Sequence, residues 1–313
     1  MASARGPEHR YREHLYTHVE RGEATDGVER WLAEEIDAPS AIVLDRIARE
    51  ERLEPADWQV LLRFFAASRV RTIGHLARRQ LQWEQEIPKL IESTVRKTVN
   101  RLEQGERLER RSGHPLGGDL VEPPIRVRVR EHADGSGGVL EAEILSGRKL
   151  FHAEMHRMIT HTARHLRPHH WTILRAPRGE AWLTSDDPVI QAVISPERHV
   201  TFDAGWGVAG NYLMLPLSPR HLLFTRIGER PPLKYSVAER NVFDFAQRCT
   251  VAHAYRLIFG QSPQEWVAEG RPRRVDPMGI QREHNEWLKW HAAQSMAEQK
   301  LEDPSTWPSA HVV

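Results

Sequence analysis

Apolar residues recur at helical spacing through the first third of the chain. The clearest series consists of Val28, Trp31, Leu32 and Ile36. A repeat near 3.6 residues is typical of an amphipathic helix, and Pro39 is expected to end or kink this one. Pro55 marks the first turn of a long helix running to about Gln82, and another helix follows over about 88–102. These segments predict a small helical bundle.

The pattern changes to alternation after residues 105–124, a glycine- and proline-rich stretch that predicts a loop or linker. Apolar and arginine residues alternate over 125–130, which is typical of a half-buried strand. A turn is predicted over 134–138. Residues 140–144 are interpreted as the returning strand, with a helix entry as the open alternative, and a helix is expected over about 150–166.

Short apolar runs separated by proline and glycine dominate from Trp171 onward. They predict strands over 171–174, 181–184, 189–194, 212–217 and 222–227. The first two are expected to form a hairpin through Pro177, Arg178 and Gly179. Helices are predicted over 236–260, with Gly260 as the C-terminal cap, and over about 280–301.

This order of elements favours an α+β fold, with an N-terminal helical bundle packed on a mostly antiparallel β-sheet and C-terminal helices. Four regions are expected within one integrated domain. They are a helical region over 1–104, a linker over 105–124, a mixed region over 125–260, and helices with a tail over 261–313.

Composition narrows the class of protein. The chain has 313 residues, a formal net charge of +1 and 40% hydrophobic residues, which excludes collagen-like, coiled-coil and wholly disordered chains. No apolar run has the length of a membrane span, and the segment Met1–Glu13 lacks a signal core. The one cysteine, Cys249, excludes an internal disulfide. We therefore expect a cytoplasmic protein without a membrane partner.

Arginine makes up 38 of the 44 basic residues. Arginine suits phosphate binding, but GC-rich coding produces the same bias, and 43 acidic residues balance the charge. Arg126, Arg128 and Arg130 share one face of a predicted strand. That stripe could meet a nucleic-acid backbone or remain a solvated strand face, so a nucleic-acid partner is one of two open interpretations.

Two groups of segments resemble domain-of-unknown-function family 4238. The first group is Val28–Glu35, Phe64–Ala67 and Arg71–Thr72; the second is Trp171–Leu174, Trp182–Pro188 and Leu215–Pro219. The resemblance extends over most of residues 14–260. Its most specific part is the Thr-Ser-Asp-Asp-Pro corner that follows a Trp-x-x-Leu strand.

The resemblance implies membership of a family for which no reaction is established. Members of that family usually open with a His-Tyr-Val-Pro segment, which has no match before Tyr11. This is the pattern expected of a truncated or misannotated start. Ser68 stands where the family pattern has glutamine, and Ile73 where it has proline.

Asp186 and Asp187 are the first candidates for chemistry. Two close carboxylates at the end of a strand can bind a hard cation or divide into an acid and a base. The same residues before Pro188 are also typical of a plain turn, in which aspartate and serine bond their own backbone. Both interpretations stay open.

Charged residues inside apolar helical arcs are the second candidates. At 100° per residue, Glu35 falls within the apolar arc of its helix. Arg69 lies near the middle of the apolar face of the next long helix, and Arg71 borders Phe64. Buried charges need partners. We therefore hypothesise that Glu35 pairs with Arg69 or Arg71, either near the Asp186 corner to hold a phosphate or carboxylate, or as a structural ion pair between helices.

His152 and His156 are one helical turn apart, a spacing that can bind a transition metal. They do not match the zinc pattern His-Glu-x-x-His, and exposed or capping histidines are the alternative. Cys249 lies on an apolar helix face and is interpreted as a small buried hydrophobe. No cofactor can be assigned, although a divalent metal is one option.

Two classes of function follow. In the first, the protein is a metal-assisted hydrolase acting on phosphodiesters. Asp186 and Asp187 would hold the ion or act as base, Arg69 or Arg71 would stabilise the oxyanion, and Glu35 or His152 would assist. In the second, it is a non-catalytic binding or regulatory module in which the same residues form structural ion pairs.

Overall fold

The computed structural model describes residues 14–20, 22–104, 121, 124–131, 138–197, 199–202, 205–271 and 277–303. Contacts within the chain divide it into two compact units. The first unit draws its described residues from Met1–Trp31, Gln80–Glu154 and Asp276–Val313. The second draws them from Leu32–Arg79 and Met155–Val275.

Helices occupy much of the described chain. They are α1 (Gly27–Leu32), a π-helix (Ala33–Asp37), α2 (Ala38–Ala48), α3 (Pro55–Val70), α4 (Ile73–Glu103), α5 (Arg148–Thr160), a 3₁₀-helix (Thr162–Leu166), α6 (Arg240–His253), α7 (Glu265–Gly270) and α8 (Pro277–Glu302). Helix α3 begins as predicted, with Pro55 in its first turn and a reciprocal capping box between Glu54 and Asp57. Pro39 lies in the first turn of α2, directly after the π-helix.

Five antiparallel strands form the sheet of the second unit. The strands within the described residues are β1 (His18–Glu20), β2 (Glu23–Thr25), β3 (Ile125–Glu131), β4 (Gly138–Ile144), β5 (Thr172–Arg175), β6 (Thr184–Ser185), β7 (Ile190–Ile194), β8 (Val200–Thr201), β9 (Tyr212–Pro216), β10 (His221–Arg226) and β11 (Ile258–Phe259). The sheet order is β5-β10-β9-β7-β8. The part of the chain that the structure describes also has three two-stranded sheets, which pair β1 with β2, β3 with β4, and β6 with β11.

Both faces of the five-stranded sheet are buried. Along β10, Leu223 joins a core with helices α2 and α3, whereas its neighbours Leu222 and Phe224 join a second core with α6. Ile173 and Leu174 divide between the two cores in the same way on β5. Because successive strand residues point to opposite faces, this division places helices on both sides. The architecture is α+β, with N-terminal helices packed on one face of an antiparallel sheet and a later helix on the other.

Several predicted details differ from the structure. The expected hairpin between 171–174 and 181–184 is wrong, because β5 pairs with β10 and β6 pairs with β11. Helix α6 ends at His253 and not at Gly260, since Ala254 leaves the helical conformation. The pairing of β3 with β4 confirms the returning strand over 140–144. Most of the predicted linker and the side chains of Arg126, Arg128 and Arg130 fall outside the described residues.

In the first unit, α8 carries a buried carboxylate. Glu298 is fully buried and holds Arg148 through two bonds, from Nε at 2.9 Å and from Nη2 at 2.7 Å. The same carboxylate accepts the backbone N–H of Val19 on β1 at 2.8 Å. Among the described helices, none combines the length and the apolar character needed to cross a membrane.

Candidate functional site

Asp187 is the centre of a buried polar cluster in the second unit. It follows the two-residue strand β6, and its backbone N–H donates to Ser185 Oγ at 3.2 Å, which turns the chain before Pro188. Its side chain has no solvent-exposed surface. A buried carboxylate is costly unless it is paired and hydrogen-bonded, so its neighbours define what the cluster does.

Cationic and hydroxyl groups surround both oxygens of Asp187. Thr72 Oγ1 donates to Oδ1 at 3.3 Å, and Arg69 Nη1 lies 3.9 Å from the same oxygen. Arg78 Nη2 forms an ion pair with Oδ2, and His253 Nε2 lies 3.4 Å from it. The cluster therefore joins the end of α3, the start of α4 and the end of α6 to the strand corner.

Thr72 also caps helix α4. Its hydroxyl oxygen accepts the backbone N–H of His75 at 3.0 Å, which satisfies one of the open donors at the helix start. The next turn passes close to Asp187, since a Cβ added at Gly74 would lie 3.0 Å from Oδ2. Burial lowers the pKa of His75 to about 3, and the nearby arginines, Arg69 first, act in the same direction.

The carboxylates of Asp186 and Asp187 have separate partners. Asp186 Oδ1 accepts the backbone N–H of Tyr255 at 3.0 Å, and Oδ2 accepts that of Arg256 at 2.9 Å. Asp186 thus fixes the turn after α6, while Asp187 faces the helices. Each carboxylate already satisfies polar groups of the fold, as the turn interpretation of this corner expects.

Glu35 and the arginines are not paired as hypothesised. Arg69 reaches Asp187, Arg71 Nη1 lies 2.6 Å from Asp37, and Glu35 lies 3.7 Å from Arg63 with 56% of its side chain exposed. The physical reason is the π-helix over 33–37, whose wider turn shifts the positions away from the spacing of an α-helix. The arc argument consequently locates Arg69 correctly and misplaces Glu35.

His152 is enclosed in the first unit. Its Nε2 lies 2.8 Å from the carbonyl oxygen of Leu15, so Nε2 carries the proton, and its ring meets that of His18 at 5.2 Å. Burial lowers the pKa of His152 to about 3, with His18 acting in the same direction. His156, on the same helix, is partly exposed. Within the described ranges, no group of three or more His, Cys, Asp or Glu side chains could hold a metal ion.

Arginines line a small cavity elsewhere in the second unit. Its volume is about 220 Å³, and its lining includes Leu62, Arg63, Ile159, Ala163, Arg164 and Arg167. Arg164 and Arg167 are exposed, and the structure gives neither of them an ion pair within the part of the chain that it describes. Leu62, Ile159 and Ala163 are buried and provide an apolar floor.

A wider cavity adjoins the first and shares Leu62 and Arg167 with it. Its volume is about 850 Å³, and its lining adds Trp58, His169, His170, Trp171 and Arg230. Among the described residues of this lining, the one carboxylate is that of Glu229, which is paired with Arg226 at 2.7 Å. The two cavities together present aromatic and cationic side chains with little opposing charge.

Residues 9–264 match the model of a family described as "Protein of unknown function (DUF4238)". The chain belongs to the DUF4238 family. No curated protein and no solved structure matches it. The family description assigns no activity, so membership of DUF4238 establishes kinship and leaves the chemistry to the side chains described above.

Sequence patterns did not reveal three members of the Asp187 cluster. His253 follows Ala246 and Thr250 on the buried face of α6, so helical spacing from those residues could have found it. Thr72 directly precedes α4, where a capping residue belongs. Arg78 carries no local signal, because its partner lies 109 residues away along the DUF4238 chain.

Proposed function

We propose that this protein is a non-catalytic binding module for a phosphate-bearing ligand. The phosphate lies in the cavity of Arg63, Arg164 and Arg167, while the Asp187 cluster stabilises the fold. The observation that carries the proposal is that three arginines line one cavity of about 220 Å³, in whose lining the described part of the chain places no carboxylate.

Charge balance makes this convergence informative. The chain as a whole has 44 basic and 43 acidic residues, so a random patch of surface holds both signs. The cavity instead concentrates positive charge over an apolar floor, where electrostatic attraction is stronger than in bulk water. The planar fork of arginine matches the oxygens of phosphate in a bidentate arrangement.

The Asp187 cluster supports a structural role for the predicted site residues. Asp187 accepts the hydroxyl of Thr72 and pairs with Arg78, with Arg69 and His253 at 3.9 and 3.4 Å. Asp186 accepts two backbone N–H groups. Because the two carboxylates have separate partners, they do not form a common site for a metal ion. This arrangement favours the binding module over the metal-assisted hydrolase.

Isothermal titration calorimetry with inorganic tripolyphosphate at low ionic strength tests the proposal. We expect saturable binding that Arg164→Ala and Arg167→Ala each weaken by about tenfold, the loss of one charge-assisted contact. Arg248→Ala is the matched control, because Arg248 is exposed on α6 and lines neither cavity. Absence of binding, or equal losses in all three variants, would overturn the proposal.

Substitution of Glu35 tests the proposal through an expected gain in affinity for tripolyphosphate. Its carboxylate lies 3.7 Å from Arg63 and competes with an incoming phosphate. Because exposed ion pairs contribute up to about 1 kcal/mol, Glu35→Gln should tighten tripolyphosphate binding by up to roughly fivefold. A weaker affinity in this variant would contradict the placement of the phosphate beside Arg63.

Hydrolysis of phosphodiesters is the second candidate, and one contact favours it. His253 lies 3.4 Å from Asp187, an arrangement in which a carboxylate can orient a histidine base. The measurement is p-nitrophenol release from bis(p-nitrophenyl) phosphate with Mg²⁺, Mn²⁺ or Zn²⁺. Turnover that disappears in Asp187→Asn while folding is retained would support hydrolysis. No turnover and no metal-dependent rise in melting temperature would remove this candidate.

A further inference from the structure

The wider cavity holds two tryptophans in fixed positions. The ring of Trp171 packs edge-on against Phe65 at 5.1 Å, and its indole N–H donates to the carbonyl oxygen of Leu166 at 2.9 Å. Trp58 packs on the same core from α3. Both remain partly exposed where they line the cavity. An aromatic ring anchored on one side and open on the other is a platform for stacking.

Positive charge accompanies these rings. Arg167 lies at the junction, because it lines both cavities, and Arg230 lines the wider one. Neither arginine has an ion pair in the described ranges of the chain, whereas Glu229 is already paired with Arg226. The net charge that the described lining offers to a ligand is therefore positive.

We propose that the ligand is a nucleotide, either free or at one position of a single-stranded nucleic acid. Its base stacks on Trp58 or Trp171, and its phosphate lies between Arg164 and Arg167. This inference rests on the proposed function, since it places the phosphate in the same cavity. The wider cavity, at about 850 Å³, is within the range of sites that enclose small-molecule ligands.

Stacking and phosphate binding make separate predictions. A phosphate site alone holds ribose 5-phosphate and AMP equally, because the two ligands carry the same phosphate and sugar. A base platform adds affinity only for AMP. We expect AMP to bind at least about tenfold more tightly than ribose 5-phosphate, in line with the stacking of one base on an aromatic side chain.

Titration calorimetry with these two compounds tests the inference. Of Trp58→Leu and Trp171→Leu, the variant that removes the ring under the base should lose most of the AMP advantage and still bind ribose 5-phosphate. Trp171→Phe keeps an aromatic ring and should retain advantage that Trp171→Leu loses, which separates loss of stacking from disturbance of the fold. A full AMP advantage in both leucine variants would contradict the stacking. Trp266→Leu is the matched control, since Trp266 is 38% exposed on α7 outside the cavity.

An oligothymidylate titration distinguishes the two sources of the nucleotide. Tighter binding than AMP, with a salt dependence whose slope falls by about 1 in Arg230→Ala, identifies a single strand. Affinity equal to that of AMP identifies a free nucleotide. Equal binding of AMP and ribose 5-phosphate overturns the inference and leaves the phosphate site intact, whereas no binding of either compound or of tripolyphosphate overturns the proposed function as well.

Discussion

Replacement of Asp187 by asparagine is the sharpest test of the structural role proposed for the buried cluster. Asparagine keeps the shape of the side chain and removes its charge. Arg69, with 13% of its side chain exposed, and Arg78, with 36% exposed, then lose their shared anion. The substituted amide also brings a donor against Thr72 and the two guanidinium groups, where the structure requires an acceptor.

The expected cost follows from the burial of the pair. Breaking a buried ion pair by removing one partner costs about 3–5 kcal/mol. Because solvent reaches part of Arg78, we expect the lower end of this range, about 3 kcal/mol. For a unit of this size that corresponds to a fall of roughly 6–12 °C in melting temperature.

Urea unfolding and amide hydrogen exchange measure this effect. Exchange in β7 and β10 reports on the sheet of the second unit, so its loss of protection locates the destabilisation. Asp186→Asn is the matched control. In asparagine, Oδ1 alone can still accept the backbone N–H groups of Tyr255, at 3.0 Å, and Arg256, at 3.1 Å. The variant loses the acceptor at Oδ2, so we expect a cost of about 1 kcal/mol.

Two outcomes would refute this reasoning. A cost within 1 kcal/mol of the control would show that Asp187 does not stabilise the two arginines. The residues of the Asp187 cluster line neither cavity, so a folded Asp187→Asn variant should still bind tripolyphosphate. Loss of binding in that variant would show that the cluster acts directly on the ligand.

Three further predictions concern stability and reactivity. Burial lowers the pKa of His152 from 6.5 to about 3, so on acidification the unfolded chain binds a proton before the folded chain does. The free energy of unfolding should therefore fall as the pH is lowered from about 6.5 towards 3, by up to about 1.4 kcal/mol per pH unit. Urea midpoints measured against pH should show a flatter profile for His152→Gln. Gly74→Ala should cost about 1–3 kcal/mol in thermal unfolding, because its Cβ would lie 3.0 Å from Asp187 Oδ2 and 3.1 Å from Tyr255 Cβ; an unchanged melting temperature would contradict this close approach. Burial raises the pKa of Cys249 to about 12, so the native protein should resist thiol reagents that label it after unfolding, and rapid labelling without denaturant would place the thiol at the surface.

Four of the five strands of the five-stranded sheet could be predicted because each carries its own apolar run, whereas β8, which is two residues long and exposed, is not predicted. The run over 189–194 contains β7, and the run over 212–217 contains β9. Their partners could not be predicted by proximity along the chain. β5 pairs with β10, which starts 46 residues after β5 ends, because that order lets one strand bury Leu223 against α3 and Leu222 against α6. The free energy gained by burying both faces of the sheet outweighs the shorter loop that a hairpin between neighbouring strands would need.

In the candidate site, too, local sequence patterns predict the position of a residue, whereas its contacts depend on residues far away in the chain. Helical periodicity places Arg69 in a buried position because the geometry of α3 is regular. The same arithmetic fails for Glu35, since Glu35 lies within a π-helix that no local residue signals. Even for Arg69, periodicity indicates only that a charge is enclosed. Its partner Asp187 comes from a strand corner 118 residues later, which only the tertiary fold brings into contact.

Helix α8 extends this argument beyond the residues matched by the family. The match ends at 264, whereas Glu298 is fully buried and bonds both Arg148 and the backbone of Val19. Arg148 is enclosed, with 1% of its side chain exposed. A guanidinium left there without its carboxylate would cost several kcal/mol. The first unit therefore needs α8 to remain folded, so the physical boundary of this unit lies past the boundary of the family pattern.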